Sequence, residues 1–520
     1  PRPRVDRAAF LLRGGHLLEV RARDAGLPAT TDGQPVRIEV PMGLQPELAA
    51  PGALEFHGQS SGGGCDCQSG GGRAGGLVIA VLVGLALLLP HRRWARASSA
   101  LAVTGLVIAL AVLLGGCGGD AGGGDDDIDP SVVNPGPTGR WSSMAADGDR
   151  VVLAAYEQDF GDLVLAEITG EGRPEFRAID GVPDVAPVLD PTGYRGGITE
   201  PGDDVGAWTS IALSGGRALI AYQDLGRRAL RFAAEDGDRF VAHDVALPTD
   251  DLEEVGRYAS LSLDAGGVPA IAFMTLRREP APDDAEAPAT VTTQLRWAQA
   301  SSAAPAAATD WTVETIAEVS GEAPGFEDVP AGTGLFAGAA RLPDGRPVIA
   351  CYDRLAGDPL LAVRDGDGWA IDRLDAADAD RGQWISMAVT DDGTVYAVYQ
   401  DATDDRLLAR TWTDGTLGAL EVVDDGFRDG DRPHSVGGGA RLVIDGDTPV
   451  VLYQDGTSSD LLWSARGSDG WAGGDLFTGD IGYGFFNAVA RSGDRLWVAT
   501  YAYDQSHWPP GHTEVRRLDR

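Results

Sequence analysis

The sequence predicts an all-β fold, a seven-bladed β-propeller, and three observations predict it. One phrase recurs seven times across residues 139–520, its period is about fifty residues, and each period holds several short strands. Five repeats open on a glycine and an aromatic, GRWSSMA, GAWTSIA, GRYASLS, GLFAGAA and GQWISMA; the sixth and seventh depart as HSVGGGA and GYGFFNAVA. After an Asp/Gly turn each closes on an apolar run: VVLAAYEQD, ALIAYQD, PAIAFMT, PVIACYD, VYAVYQD, PVVLYQD and LWVATYAYD. These runs end near Asp159, Asp224, Thr275, Asp353, Asp401, Asp455 and Asp504.

Each element of the repeat has a physical reason. Ser and Ala at alternate positions of the opening suit the innermost strand, where strands converge on the axis and large side chains do not fit. The closing run is apolar at nearly every position, as in a strand covered on both faces by neighbouring blades. A hairpin turn such as LGRR, ATDDR or GTSS leads to a third strand, and a shorter segment such as FRAID or WAIDRL completes the blade. The closing Asp is expected to accept hydrogen bonds from turn amides while the Tyr packs between blades. The third repeat is the most degraded, with Phe273 and Thr275 in place of Tyr and Asp. Residues 181–205, 278–293 and 301–334 read as inserted loops, where a rigid scaffold places binding functions.

Formal charge is −36, and every basic residue other than histidine is Arg. A chain this acidic repels phosphate backbones, so nucleic acid is not an expected partner. The 72 glycines and 31 prolines accord with many tight turns. Of the four cysteines, Cys65 and Cys67 are too close for an easy disulfide and Cys351 lies in an apolar strand, so no structural disulfide is expected.

Five segments are expected: residues 1–58, 59–97, 98–117, 118–138 and the propeller at 139–520. The first contains FLLRGGHLLEVRARDAG and QPVRIEV and resembles the last two strands of an immunoglobulin-like or fibronectin-like module, a short hairpin. A Gly-rich linker follows; its GxSxG match at residues 58–62 lacks the strand and helix that a nucleophile elbow needs. The run LVIAVLVGLALLL, with cysteines before it and arginines after it, resembles the myxobacterial sorting tail MYXO-CTERM. That resemblance implies a membrane segment and processing near Cys65 or Cys67. Next, RASSALAVTGLVIALAVLLGGC resembles a bacterial lipoprotein signal, which implies cleavage before Cys117 and its lipidation. The two hydrophobic helices satisfy the positive-inside rule as a hairpin. A terminal tail beside an initial signal also has the grammar of two neighbouring genes, the account favoured for residues 1–97 and 98–520. These resemblances imply membrane attachment at the envelope, outer membrane or surface of a Gram-negative cell.

No catalytic, metal or cofactor set emerges. Asp-rich phrases such as DDGFRDGD lack calcium-loop order, and GTGLFAG is no dinucleotide fingerprint. The turn at Ser262, Asp264 and Gly266 resembles half of a sialidase Asp-box, a structural hairpin in that family. The family also needs an arginine triad and a tyrosine nucleophile, for which Arg140, Arg195, Arg257 and Tyr194 are the nominees. The opening aromatics Trp141, Trp208, Tyr258, Phe336 and Trp384 are the ligand-binding candidates: their faces resemble the sugar-stacking platforms of propeller lectins, with packing between blades as their other role. The expected function is an exported, lipid-anchored binding or scaffold module, monomeric in its propeller, for a glycan or protein ligand. The alternatives are a sialidase-type glycoside hydrolase and an assembly scaffold without a small ligand.

Overall fold

A computed structural model describes residues 17–20, 36–39, 133–184, 193–279, 289–323, 332–428, 433–504 and 511–519. The chain divides into one unit of residues 1–63 and 131–520 and another of residues 64–130. The second unit, with both apolar runs and Cys65, Cys67 and Cys117, lies outside the described residues. No helix among the described residues is long and apolar enough to cross a membrane. In the N-terminal segment, Leu17–Val20 and Val36–Glu39 pair antiparallel.

Seven antiparallel sheets follow in chain order. Their inner strands are Thr138–Asp147, Val205–Ser214, Glu253–Leu263, Leu335–Arg341, Arg381–Val389, Val436–Asp445 and Gly482–Ser492. The second strands are Arg150–Glu157, Arg217–Asp224, Pro269–Glu279, Pro347–Asp353, Val395–Asp401, Thr448–Asp455 and Arg495–Tyr503. Third and outer strands complete blades one to six; in blade five the outer position is divided between Thr416–Leu417 and Glu421–Asp424. The seven-bladed propeller expected from the repeats is thus present. Among the described residues blade seven has three strands, and Gly511–Leu518 is its third. Gly172, from the loop before the outer strand of blade one, bridges Val515 through two amide bonds of 2.8 Å. Thr513 Oγ1 donates to Thr138 O at 2.8 Å, so the last strand is tied to the first blade and the ring closes.

The second strands form the core, with Val152, Ile220, Ala272, Ile349, Val398 and Val451 fully buried between blades. Their terminal acids do what the sequence predicts. Asp401 Oδ1 accepts from the amides of Thr403 and Asp404, each at 3.1 Å, and Asp455 Oδ1 from Thr457 at 3.0 Å and Ser458 at 3.2 Å. In blade one the acid in this role is Glu157, which accepts from Asp159 and Phe160 at 2.8 and 2.9 Å, rather than Asp159. The reason is register, since Glu157 opposes Thr138 as Asp224 opposes Val205.

Register also divides the tyrosines into two kinds. In Tyr-Gln-Asp blades the hydroxyl reaches back to the preceding blade, as Tyr453 does to Asp424 of blade five at 2.9 Å. The glutamine beside it faces forward, and Gln400 Nε2 donates to Val436 O of blade six at 3.0 Å. Where tyrosine directly precedes the acid it takes the forward face: Tyr156 donates to Asp204 at 2.9 Å and Tyr352 to Asp380 at 2.5 Å. A one-residue shift along a strand exchanges its faces, so one motif staples a blade to either neighbour.

Two of the expected insertions are partly strand. Trp311–Ala323 is a 13-residue outer strand of blade three, and Ala289–Ala300 pairs with it along its length. The run TVETIAEV alternates β-branched and polar residues, a pattern that favours a paired strand although its flanks are rich in Ala and Pro. Cys351 is buried and unpaired, and burial pushes its thiol up to about 12.

Candidate functional site

Every inner strand carries the same irregularity. A glycine at positive φ, such as Gly206 at 106° or Gly382 at 115°, is followed two residues later by a left-handed residue. That residue is Trp141, Trp208, Tyr258, Phe336, Trp384 or Phe486, with φ from 46° to 57°, and in blade six it is Gly439 at 57°. The pairing register shifts at each such site, the mark of a β-bulge, which re-aims a side chain. At Gly206 a Cβ would lie 2.8 Å from Leu163 Cα of the previous blade, so the close approach also requires glycine. A left-handed aromatic costs backbone energy that surrounding packing must offset.

Packing supplies the offset. Ring centroids stand 5.4 Å apart for Trp141–Trp208, 4.1 Å for Trp208–Tyr258, 5.0 Å for Tyr258–Phe336 and 4.5 Å for Phe336–Trp384. Phe486 meets Trp141 at 5.9 Å. The six aromatics form a girdle with one gap, at Gly439 between Trp384 and Phe486. Asn487 maintains the gap: its Nδ2 donates to Gly439 O at 3.0 Å and to Gly484 O at 2.8 Å. A Cβ on Gly439 would lie 3.0 Å from Gly484 O and 3.1 Å from Asn487 Nδ2.

Hydroxyls next to the aromatics stitch the blades together. Ser142 donates to Phe486 O and Thr209 to Trp141 O. Ser143, Ser210, Ser260 and Ser386 each accept an amide of a neighbouring inner strand, from Ile211, Leu261, Ala339 and Leu442, at 2.9–3.1 Å. Each of these serines keeps its own O–H to donate. The Ser-rich opening is therefore more than a fit to narrow space.

Girdle and serines line a central cavity of about 270 Å³. Phe336 and Trp384 are partly exposed, while Trp141, Trp208, Tyr258 and Phe486 are buried. Trp141 Nε1–H is buried without a hydrogen-bond partner. The one charged residue lining this cavity is Arg441. It stands two residues after Gly439, where the other blades carry Ser143, Ser210, Ser260, Gly338, Ser386 and Ala488. Its Nη1 donates to Ala440 O at 2.9 Å. Burial pushes its guanidinium down to about 10, so it stays cationic at neutral pH.

The five aromatics proposed from sequence therefore converge on one cavity rather than serving separate pockets on separate blades. Phe486, Gly439 and Arg441 were not among them; the departures HSVGGGA and GYGFFNAVA were their only trace. None of Arg140, Arg195, Arg257 and Tyr194 lines this cavity. Arg195 is fully buried beside Asp162, with Nε 2.7 Å from Oδ2, and Tyr194 donates to the same oxygen at 3.0 Å. Arg257 Nε lies 2.8 Å from Glu254. Among the described residues no three His, Cys, Asp or Glu side chains cluster closely enough to hold a metal ion.

No protein-family model matches the chain, and no curated protein matches it. Solved structures of similar shape include the polysaccharide lyase Uly1, at 11% identity and TM-score 0.41 over 74% of this chain and 90% of that one. The NanB sialidase from Streptococcus pneumoniae is similar at 10% identity and TM-score 0.39, over 71% of this chain and 83% of that one. The Aleuria aurantia lectin, in complex with α-methyl-L-fucoside, is similar at 14% identity and TM-score 0.36, over 65% and 94%.

Proposed function

We propose that this protein is an exported, envelope-anchored binding module whose propeller holds a glycan or similar polyhydroxylated ligand in the central cavity. The observation that carries the reading is the cavity lining. Partly exposed aromatic faces at Phe336 and Trp384 stand beside a set of serine hydroxyls with protons to donate. A sugar ring offers C–H faces to the first and hydroxyls to the second, and a concave apolar site with a few placed polar groups is what small ligands occupy. The cavity lies near the small end of the ~300–1,000 Å³ range of ligand pockets, which suits about one sugar unit. The lipoprotein-like signal ending at Cys117 supports export and lipid attachment, and the net charge of −36 supports a soluble propeller.

A glycan array with the full chain tests the reading, with Trp384→Ala as control. Binding to particular glycans that Trp384→Ala abolishes supports it. Binding that survives this substitution places the site elsewhere.

A further inference from the structure

Blade six breaks the sevenfold pattern twice, and both breaks meet at the cavity. Where every other blade sets an aromatic it has Gly439, and where every other blade sets Ser, Gly or Ala it has Arg441. The first opens space in the girdle; the second puts a cation beside that space. Two other arginines at or near the interior have carboxylates, Arg195 with Asp162 and Arg381 with Asp375 and Asp401, while Arg296 and Arg341 lie instead over the rings of Phe273 and Trp297. Arg441 has the Ala440 carbonyl and no carboxylate within ion-pair distance among the described residues. A partly buried guanidinium without a counter-charge is poorly compensated, and a chain with 78 acidic residues had ample means to pair it. Its remaining N–H groups form a donor set suited to an oxyanion.

We propose that Arg441 is the receptor for an anionic group, so that the cavity takes a small carboxylate-bearing ligand, with its acid on Arg441 beside Gly439 and its ring or carbon face against Trp384. This rests on the reading of the cavity as the ligand site and adds the ligand's charge.

The test uses the full chain in neutral detergent with matched pairs of probes: D-glucuronate against D-glucose, and benzoate against benzamide. Calorimetric titration of wild type should show saturable binding of at least one acid and at least a tenfold preference over its neutral partner. Arg441→Gln should weaken acid binding by roughly 10–100-fold, the usual worth of a hydrogen bond to a charged group. Because Arg441 has no ion-pair partner to strand, this variant should melt no lower than wild type without ligand. Arg441→Lys should keep the preference for acids at reduced affinity, and serves should the glutamine variant fail to fold. Absence of saturable binding of either acid, or acid binding that Arg441→Gln leaves intact, overturns the proposal. Neutral sugar binding lost in Trp384→Ala but unchanged in Arg441→Gln would overturn the anionic ligand while sparing the cavity as the site.

Discussion

Trp208 and Tyr258, one from each of two adjacent blades, bring their ring centroids to 4.1 Å while both backbones are left-handed, at φ 52° and 50°. Contact between rings therefore maintains a conformation that neither residue favours alone. Trp208→Ala should cost about 3–5 kcal/mol, because a buried aromatic is replaced by a cavity. Trp208→Gly should be no worse than Trp208→Ala, against the usual order, since glycine relieves a left-handed strain of ~1–2 kcal/mol. Denaturant melts of the two variants check both statements; a glycine variant clearly less stable than the alanine variant would contradict them.

The staple from Tyr453 to Asp424 predicts a smaller effect. Tyr453→Phe removes one hydrogen bond between blades six and five but leaves Asp424 paired with Arg428 at 3.0 Å. The loss should be about 1 kcal/mol. Tyr352→Phe should behave alike, although its partner Asp380 belongs to the following blade. A negligible change in melting temperature for both would count against the staples.

Ring closure depends on the last strand. Removing residues 511–520 takes away the Gly172–Val515 bridge and the Thr513–Thr138 bond and exposes the second strand of blade seven. An unpaired edge offers free amides and carbonyls to other chains, so the truncated protein should aggregate in sedimentation or light scattering. A monomer with unchanged melting would show that these contacts do not close the ring.

Glu157 should make stability depend on pH. Burial pushes its carboxyl from 4.5 up to about 7, against the opposing pull of the Phe160 and Asp159 amides. Between these values the folded chain binds the extra proton, so this group's contribution to stability falls as pH rises from 4.5 to about 7. Glu157→Gln should flatten that slope in melts across the window. An unaltered slope would assign the dependence to other groups.

Much of the fold was legible because its signals are local and repeated. The Gly-aromatic opening marks the bulge, and the apolar run marks a strand buried on both faces. What escaped notice depends on tertiary register. Tyr352 and Tyr399 look alike in sequence, yet standing one or two residues before the acid sends them to opposite neighbours. In blade one the same frame moves the turn-fixing role from Asp159 to Glu157. The outer strand at Trp311–Ala323 was hidden by the Ala- and Pro-rich segments around it. Of the candidate site, the five aromatics were visible, but their meeting on one axis follows from closure of the ring and from left-handed backbone. Arg441 was invisible because its significance lies in the partner it lacks, and only the folded chain shows which carboxylates stand near.

On this reading ligand enters the middle of the ring. A crystal structure of the protein soaked with a glycan or acid found in the binding assays tests it most directly. Ligand density is expected within the cavity, against Trp384 and Phe336 and within hydrogen-bonding distance of Arg441. Ordered ligand on the outer loops, with the cavity unchanged, would contradict it.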